Sequence, residues 1–306
     1  MTRRNRSNLP PRLDDDTRGP KRPRVDVAPP GPSLNDQLKR AHVAGRSARF
    51  GRDEVVALMR RLAAGAPPAR LGLDPLGTTT YAQVEAAVAA VYGWEGDGPR
   101  ARIAASSTVA GFDAAMARVL EVARAGGDLA FATARPASLL PLHCAIAASA
   151  SAAGGKVLSA RESGPIGTGG RRLRWLDDVA VVTDGVQLLG DDDVPAAEEL
   201  LFTLSRPDLL VADRCFAGVA LNAGIEVVAF ADLDALALAV AAHRGRSVRV
   251  VPLDERRPPV AYQALRGRLA ELAQADGPLD PAQGLVGDGL DAPRGIVTPV
   301  ASHTVP

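Results

Sequence analysis

Between Leu34 and Tyr92 the apolar positions recur at helical spacing. The pattern predicts helices over Leu34–Gly45, Asp53–Ala64 and Tyr81–Tyr92, the second carrying Val55, Val56, Leu58, Met59 and Leu62 on its inner side. Pro67, Pro68 and the stretch Gly72 to Thr80 interrupt the pattern. A polar loop from Trp94 to Arg100 then leads to a long helix from about Thr108 to Ala125, which Ser106-Ser107-Thr108 is placed to cap. From Leu129 onward, short apolar runs alternate with helical ones. Strands are predicted at Leu129–Ala132, Lys156–Ser159, Leu173–Trp175, Val179–Val182, Leu209–Ala212, Val227–Ala231 and Val248–Leu253. Helices are predicted between them at Ser138–Ala153, Pro195–Leu204, Cys215–Ala223, Ala235–Arg244 and Ala261–Ala273.

The segment Leu209 to Leu253 reads β-α-β-α-β with continuously apolar, β-branched strands, the mark of a buried parallel sheet. Arg171–Val182, with Asp177-Asp178 at its centre, reads as a hairpin added to that sheet. The expected architecture is α/β: a mainly parallel, doubly wound, Rossmann-like sheet over 128–275, preceded by a helical N-terminal subdomain over 34–127. Residues 1–33 hold eight Arg or Lys, four Asp and seven Pro with almost no periodic apolar positions, and 276–306 is rich in Gly, Pro and Asp. Both ends are expected to be disordered tails.

Composition changes this picture little. The chain has 306 residues, 46% hydrophobic and 23% charged, with a net charge of +1. That balance suits a globular protein and gives no electrostatic case for a nucleic-acid partner. No apolar run reaches the roughly 18 residues of a membrane span, and no apolar stretch follows the basic N-terminus as a secretory signal would require. The expected location is the cytoplasm. Two cysteines, Cys144 and Cys215, are too few for a disulfide framework or an all-cysteine metal site.

Ligands of open parallel sheets bind outside the carboxyl ends of the strands, so the residues that follow each strand carry the chemistry. Four predicted strands run into an aspartate: Asp184, Asp213, Asp232 and Asp254. Each could be only a turn former or helix cap. Taken together they could share Mg²⁺, which accepts a few carboxylates and completes its shell with water and substrate phosphate. In Phe131 to Ser138 a strand meets a helix start marked by Pro136 and Ser138. There Thr133 and Arg135 would add a hydroxyl and a forked cation to an anion site at the helix dipole. Arg256 and Arg257, ahead of Pro258-Pro259, could clamp an anion or form a solvated loop. His143, further along the helix, reads as a buried, hydrogen-bonded side chain before a proton-transfer group. The glycines around Gly164–Gly170 precede a strand, so they form neither a P-loop nor a dinucleotide fingerprint.

Three segments together, Phe131–His143, Val211–Gly218 and Val251–Pro259, resemble a family of actinobacterial phosphatases, as does Leu73–Thr80. The resemblance spans roughly Leu34 to Leu265, with Ala134 standing where the family carries Gly. It implies hydrolysis of phosphate monoesters and points to Thr133, Arg135, Asp213, Asp254 and Arg257, without naming a nucleophile. The expected function is therefore a metal-assisted phosphatase of a small phosphorylated metabolite. Asp213 and Asp254 are its candidate catalytic groups, with Thr133, Arg135, Ser138 and Arg257 on the substrate and the four strand-end aspartates on the metal. A non-catalytic sensor that binds a nucleotide or sugar phosphate in the same crevice is the competing reading.

Overall fold

The computed structural model describes residues 31–74, 76–94, 96–167 and 170–275. The expectation of disordered tails therefore falls almost wholly outside the described residues. From Ser33 to Ala275 the described chain packs as one compact unit.

Helix α1 (Leu34–Arg40) starts where Ser33 accepts the Asp36 amide, and ends well short of the expected Gly45. His42 and Gly45 both take positive φ and turn the chain into strand β1 (Gly45–Gly51). Helices α2 (Arg52–Ala63) and α3 (Tyr81–Tyr92) follow, the latter fixed by a reciprocal Thr80–Gln83 capping box. The supposed polar loop ends in strand β2 (Arg100–Ile103), antiparallel to β1. The long helix α4 (Ala105–Arg124) begins before Ser106, so the Ser-Ser-Thr run lies inside its first turn rather than capping it. There the Thr108 hydroxyl donates to the Pro252 carbonyl at 2.7 Å.

The second half alternates largely as read. In order come β3 (Asp128–Ala132), α5 (Pro136–Ala152), β4 (Lys156–Val157), β5 (Arg172–Leu176), β6 (Val179–Thr183) and β7 (Leu188–Leu189). They are followed by α6 (Val194–Thr203), β8 (Leu209–Asp213), α7 (Arg214–Asn222), β9 (Glu226–Ala231), α8 (Leu236–His243), β10 (Val248–Pro252) and α9 (Gln263–Ala275). The eight-stranded sheet runs β10-β9-β8-β3-β6-β5, with β4 paired to β3 and β7 to β6. It is mixed but mostly parallel: β5 and β7 are antiparallel to β6, and the other pairs are parallel. The β5–β6 hairpin turns on Asp177 and Asp178, both at positive φ, the conformation a tight hairpin requires.

The expected helical N-terminal subdomain does not separate from the sheet. α4 lies along β10, α3 packs on α8, and one apolar cluster runs from Leu38 to Leu269. No described helix is long and apolar enough to cross a membrane. For the site, the decisive feature is the β3–β8 neighbourhood. From β3 the chain builds β6 and β5 on one side, then returns to build β8, β9 and β10 outward on the other. At such a reversal the connections leave in opposite directions and open a crevice at the carboxyl ends.

The approach of α7 to the loop after α2 generates a test of the packing. A Cβ on Gly218 would sit 2.1 Å from the Leu71 carbonyl oxygen, a backbone atom that cannot swing away. Gly218→Ala should lower stability by about 1–3 kcal/mol in urea denaturation, as overpacking does. Gly267→Ala, in α9 with open space around it, should instead gain roughly 0.5–1 kcal/mol from helix propensity. A neutral Gly218→Ala would contradict this packing.

Candidate functional site

The turn between β3 and α5 was expected to cradle a ligand anion; an internal one fills it. Thr133 donates its hydroxyl to Asp213 Oδ2, and the Ala134 amide donates to Oδ1 at 2.7 Å. The Arg135 amide in turn donates to the Thr133 hydroxyl at 2.9 Å. Thr133 and Asp213 are fully buried. Thus Arg135 and Asp213 do lie in one neighbourhood, but Asp213 acts there as the carboxylate that holds the turn. Ser138 likewise donates to the backbone, to the Arg135 and Glu255 carbonyls.

Arg135 is held from this turn with its Nη1 donating to the carbonyls of Ala134 and Gly190, both at 2.9 Å. Its Nε is buried without a hydrogen-bond partner among the described residues, 3.6 Å from Glu255 Oε2, and its Nη2 is 3.8 Å from Asp192. Beside it stands Arg214, the first residue of α7, buried and held at φ +49°. Nε and Nη2 of Arg214 both donate to Asp192, and Nη1 reaches Asp234 at 2.7 Å and Glu255 at 3.2 Å. Arg49 of β1 completes the ring, 2.7 Å from Asp232 and 3.6 Å from Asp234. Partial burial, added to by the like charges of Arg49, Arg135 and Arg214, pulls the Arg256 pKa down.

The carboxylates respond to burial in different ways. Glu255, with no solvent exposure, is pushed up to about 8, chiefly by burial and against the pull of Arg214. Burial, with help from Asp234 and Asp254, raises Asp232 to about 7. Asp213 rises to about 6 by burial, although Thr133 and the Ala134 amide favour its ionised form. In Asp234, burial is outweighed by Arg214, Arg49 and Arg135, and its pKa falls below the ordinary value. The edge therefore holds a proton on a buried acid beside an ionised, partly exposed one.

The four strand-end aspartates do not converge on a cation. Asp184 is exposed and accepts the Val186 and Gln187 amides of its own turn. Asp254 pairs with Arg257 at 2.8 Å and accepts the Arg256 amide, while Asp232 pairs with Arg49. Among the described residues no three Asp, Glu, His or Cys side chains form a set that could hold a metal ion. The donors expected for Mg²⁺ are committed to guanidinium groups and amides and do not fit a cation. Arg257 is spent on Asp254 and the His42 carbonyl, which makes it a loop brace. His143 is buried, but neither ring nitrogen has a hydrogen-bond partner among the described residues. Its Nε2 lies 3.8 Å from Asp213, and burial lowers its pKa to about 3, so it is neutral.

Five groups that the strand-end pattern does not reveal line the same edge: Arg49, Asp192, Arg214, Asp234 and Glu255. For Arg214 the signal was present, since Asp213-Arg214 is the one charged pair in the apolar run Leu209 to Leu221. Glu255 lay hidden in the polar string Asp-Glu-Arg-Arg, and Asp192 in Asp191-Asp192-Asp193.

Comparison with known proteins bears on this edge as a whole. The chain is 29% identical over 241 residues to Phosphatase SCO2771 of Streptomyces coelicolor, an alignment that covers 76% of this chain and 91% of that protein. The profile of the family described as Phosphatase matches residues 31–275, which include every residue of the arginine–carboxylate edge. The chain thus belongs to the Phosphatase family, hydrolases that act on phosphate esters.

Proposed function

We propose that the protein hydrolyses the phosphate monoester of a small metabolite at the Arg214 edge. The place of Asp192 carries this reading. Its two carboxylate oxygens meet Arg214 in a fork-to-fork pair and face Arg135, the arrangement that a phosphoryl group's oxygens would make. At 32% side-chain exposure, Asp192 is the member of that pair open to exchange, whereas Arg214 is 6% exposed. A substrate phosphate displaces Asp192 and takes over Arg214 and Arg135.

The rest of the edge supplies the chemistry. Phosphoryl transfer passes through a loose transition state in which attack makes little bond, so positioning and charge outweigh base strength. Asp234, ionised between Arg49 and Arg214, orients the attacking water and takes its proton. The P–O bond to the alcohol breaks as the P–O bond to water forms, and Glu255 passes its proton to the leaving oxygen. The proton on Asp234 then restores Glu255. Asp213 and Thr133 act as positioning residues that fix the turn bearing Arg135.

A sweep of phosphomonoesters, beginning with p-nitrophenyl phosphate, tests the proposal. Arg214→Lys loses the fork and should lower kcat/KM by about 10²–10³-fold, the scale of a lost transition-state donor. Phosphate binding without turnover on any ester would instead favour the sensor reading. Asp192→Asn should tighten inhibition by inorganic phosphate about tenfold, because the competing charge-assisted hydrogen bond is weakened. Weaker inhibition would contradict displacement of Asp192.

The buried acids also fix a pH dependence. Glu255 and Asp232 keep protons in the folded chain that they lose in the unfolded one near pH 4, so ionising them on folding is unfavourable. Stability should therefore fall as pH rises from 6.5 to 8.5, by on the order of 2 kcal/mol, and Glu255→Gln should flatten that slope. His143 acts with the opposite sign but below that window, since its unfolded-state proton is lost near pH 6.5. In turnover, kcat/KM should decline on the alkaline side with a midpoint near pH 8, and Glu255→Gln should remove that limb.

A further inference from the structure

A groove of about 910 Å³ lies beside β1, between α1, β2 and the start of α4. Lys39, Arg46, Arg100 and Arg102 line it, and no described Asp or Glu does. Arg46 and Arg102 stand directly opposite each other in the β1–β2 register. Like charges in such a cross-strand pair destabilise a sheet. Relief is slight: Arg102 reaches Asp97 at 3.7 Å, with both side chains about half or more exposed. The first turn of α4, which also lines the groove, has no acidic residue, and its N-cap, Ala104, has no side chain to accept an amide. A twenty-residue helix therefore directs an uncompensated positive end into a groove already walled by cations.

This groove adjoins the arginine edge through the chain itself. The chain that presents Arg46 to the groove turns at Ser47, whose hydroxyl accepts the Arg49 and Phe50 amides, and carries Arg49 to Asp232 three residues later. The groove's His42 donates nothing to the edge but accepts the Arg257 Nε through its carbonyl, and the neighbouring Val43 carbonyl accepts the Asp254 amide. We propose that the groove binds a second anionic group, phosphate or carboxylate, of the ligand whose phosphoryl group sits on Arg214. The inference rests on the phosphatase reading of that edge and narrows the substrate class to metabolites anionic at both ends. The scarcely relieved Arg46–Arg102 pair is then a binding device, kept at the expense of stability in the free protein.

The test exploits that trade, since Arg46→Glu converts a repulsive cross-strand pair into an attractive one. In the full chain this variant should melt no lower than wild type. It should weaken one class of calorimetric binding of methylenediphosphonate, which cannot be hydrolysed, at least tenfold. Arg172→Glu, an exposed charge reversal on β5, should change that binding less than twofold. In turnover, glucose 1,6-bisphosphate should be preferred over glucose 6-phosphate at least tenfold, and Arg46→Glu should abolish the preference while leaving p-nitrophenyl phosphate hydrolysis unchanged. Unchanged diphosphonate binding in Arg46→Glu, or equal weakening by Arg172→Glu, would overturn the groove. If Arg46→Glu weakens binding but Arg214→Lys changes neither binding nor turnover, the groove stands as an anion site, and what falls is the arginine-edge reading together with the shared ligand.

Discussion

Burying Arg214 obliges the protein to surround it. A permanently charged guanidinium taken out of water is tolerated only when every face finds a partner, and here Asp192, Asp234 and Glu255 divide those faces. They come from three separate connections: the loop before α6, the turn after β9 and the loop after β10. The constraint thus draws the carboxyl ends of the sheet together around one side chain. It also sets the backbone, because Arg214 reaches its partners from a left-handed conformation that a non-glycine residue takes only under compulsion. Since α7 starts at that residue, the strain sits at the point where β8 hands the chain to its helix.

The same economy shapes the β3–α5 turn. A turn that offers an amide and a hydroxyl to an anion would bind one from solution, and Asp213 fills it from the neighbouring strand. Two consequences follow. Arg135 is fixed in direction before any ligand arrives, which is the preorganisation a phosphate site needs. In the proposed reading the ligand position also moves outward from the turn to the arginine pair that Asp192 covers. In that reading the site exchanges one anion for another, because Asp192 already occupies the arginine pair.

The half of the chain that forms the sheet was legible in the sequence because its strands are continuously apolar and end on charge. Leu209 to Leu253 declares itself in this way, and Asp177-Asp178 marks the hairpin. β1 and β2 were not read as strands. Gly45–Gly51 is short, polar and bounded by glycines, and the alternation of Arg100–Ile103 spans only four residues. Asp213 and Arg135 were found as neighbours because both follow adjacent strands. Their roles were not legible, since sequence spacing cannot tell whether a carboxylate faces a ligand or a backbone amide. Asp184 illustrates the limit: it ends a strand like the others, yet its own turn consumes it. Glu255 lies one residue beyond the aspartate that drew attention, and only the closure of the β10 loop shows that it, unlike exposed Arg256, is buried against Arg214.

The central claim is that Asp192 holds the place of a substrate phosphate on Arg214. The most direct measurement is a crystal structure of the full chain soaked with orthovanadate or phosphate. The account predicts the oxyanion within hydrogen-bond distance of Arg214 and Arg135, with the Asp192 side chain turned away. An oxyanion bound elsewhere, with Asp192 still forked onto Arg214, would contradict it.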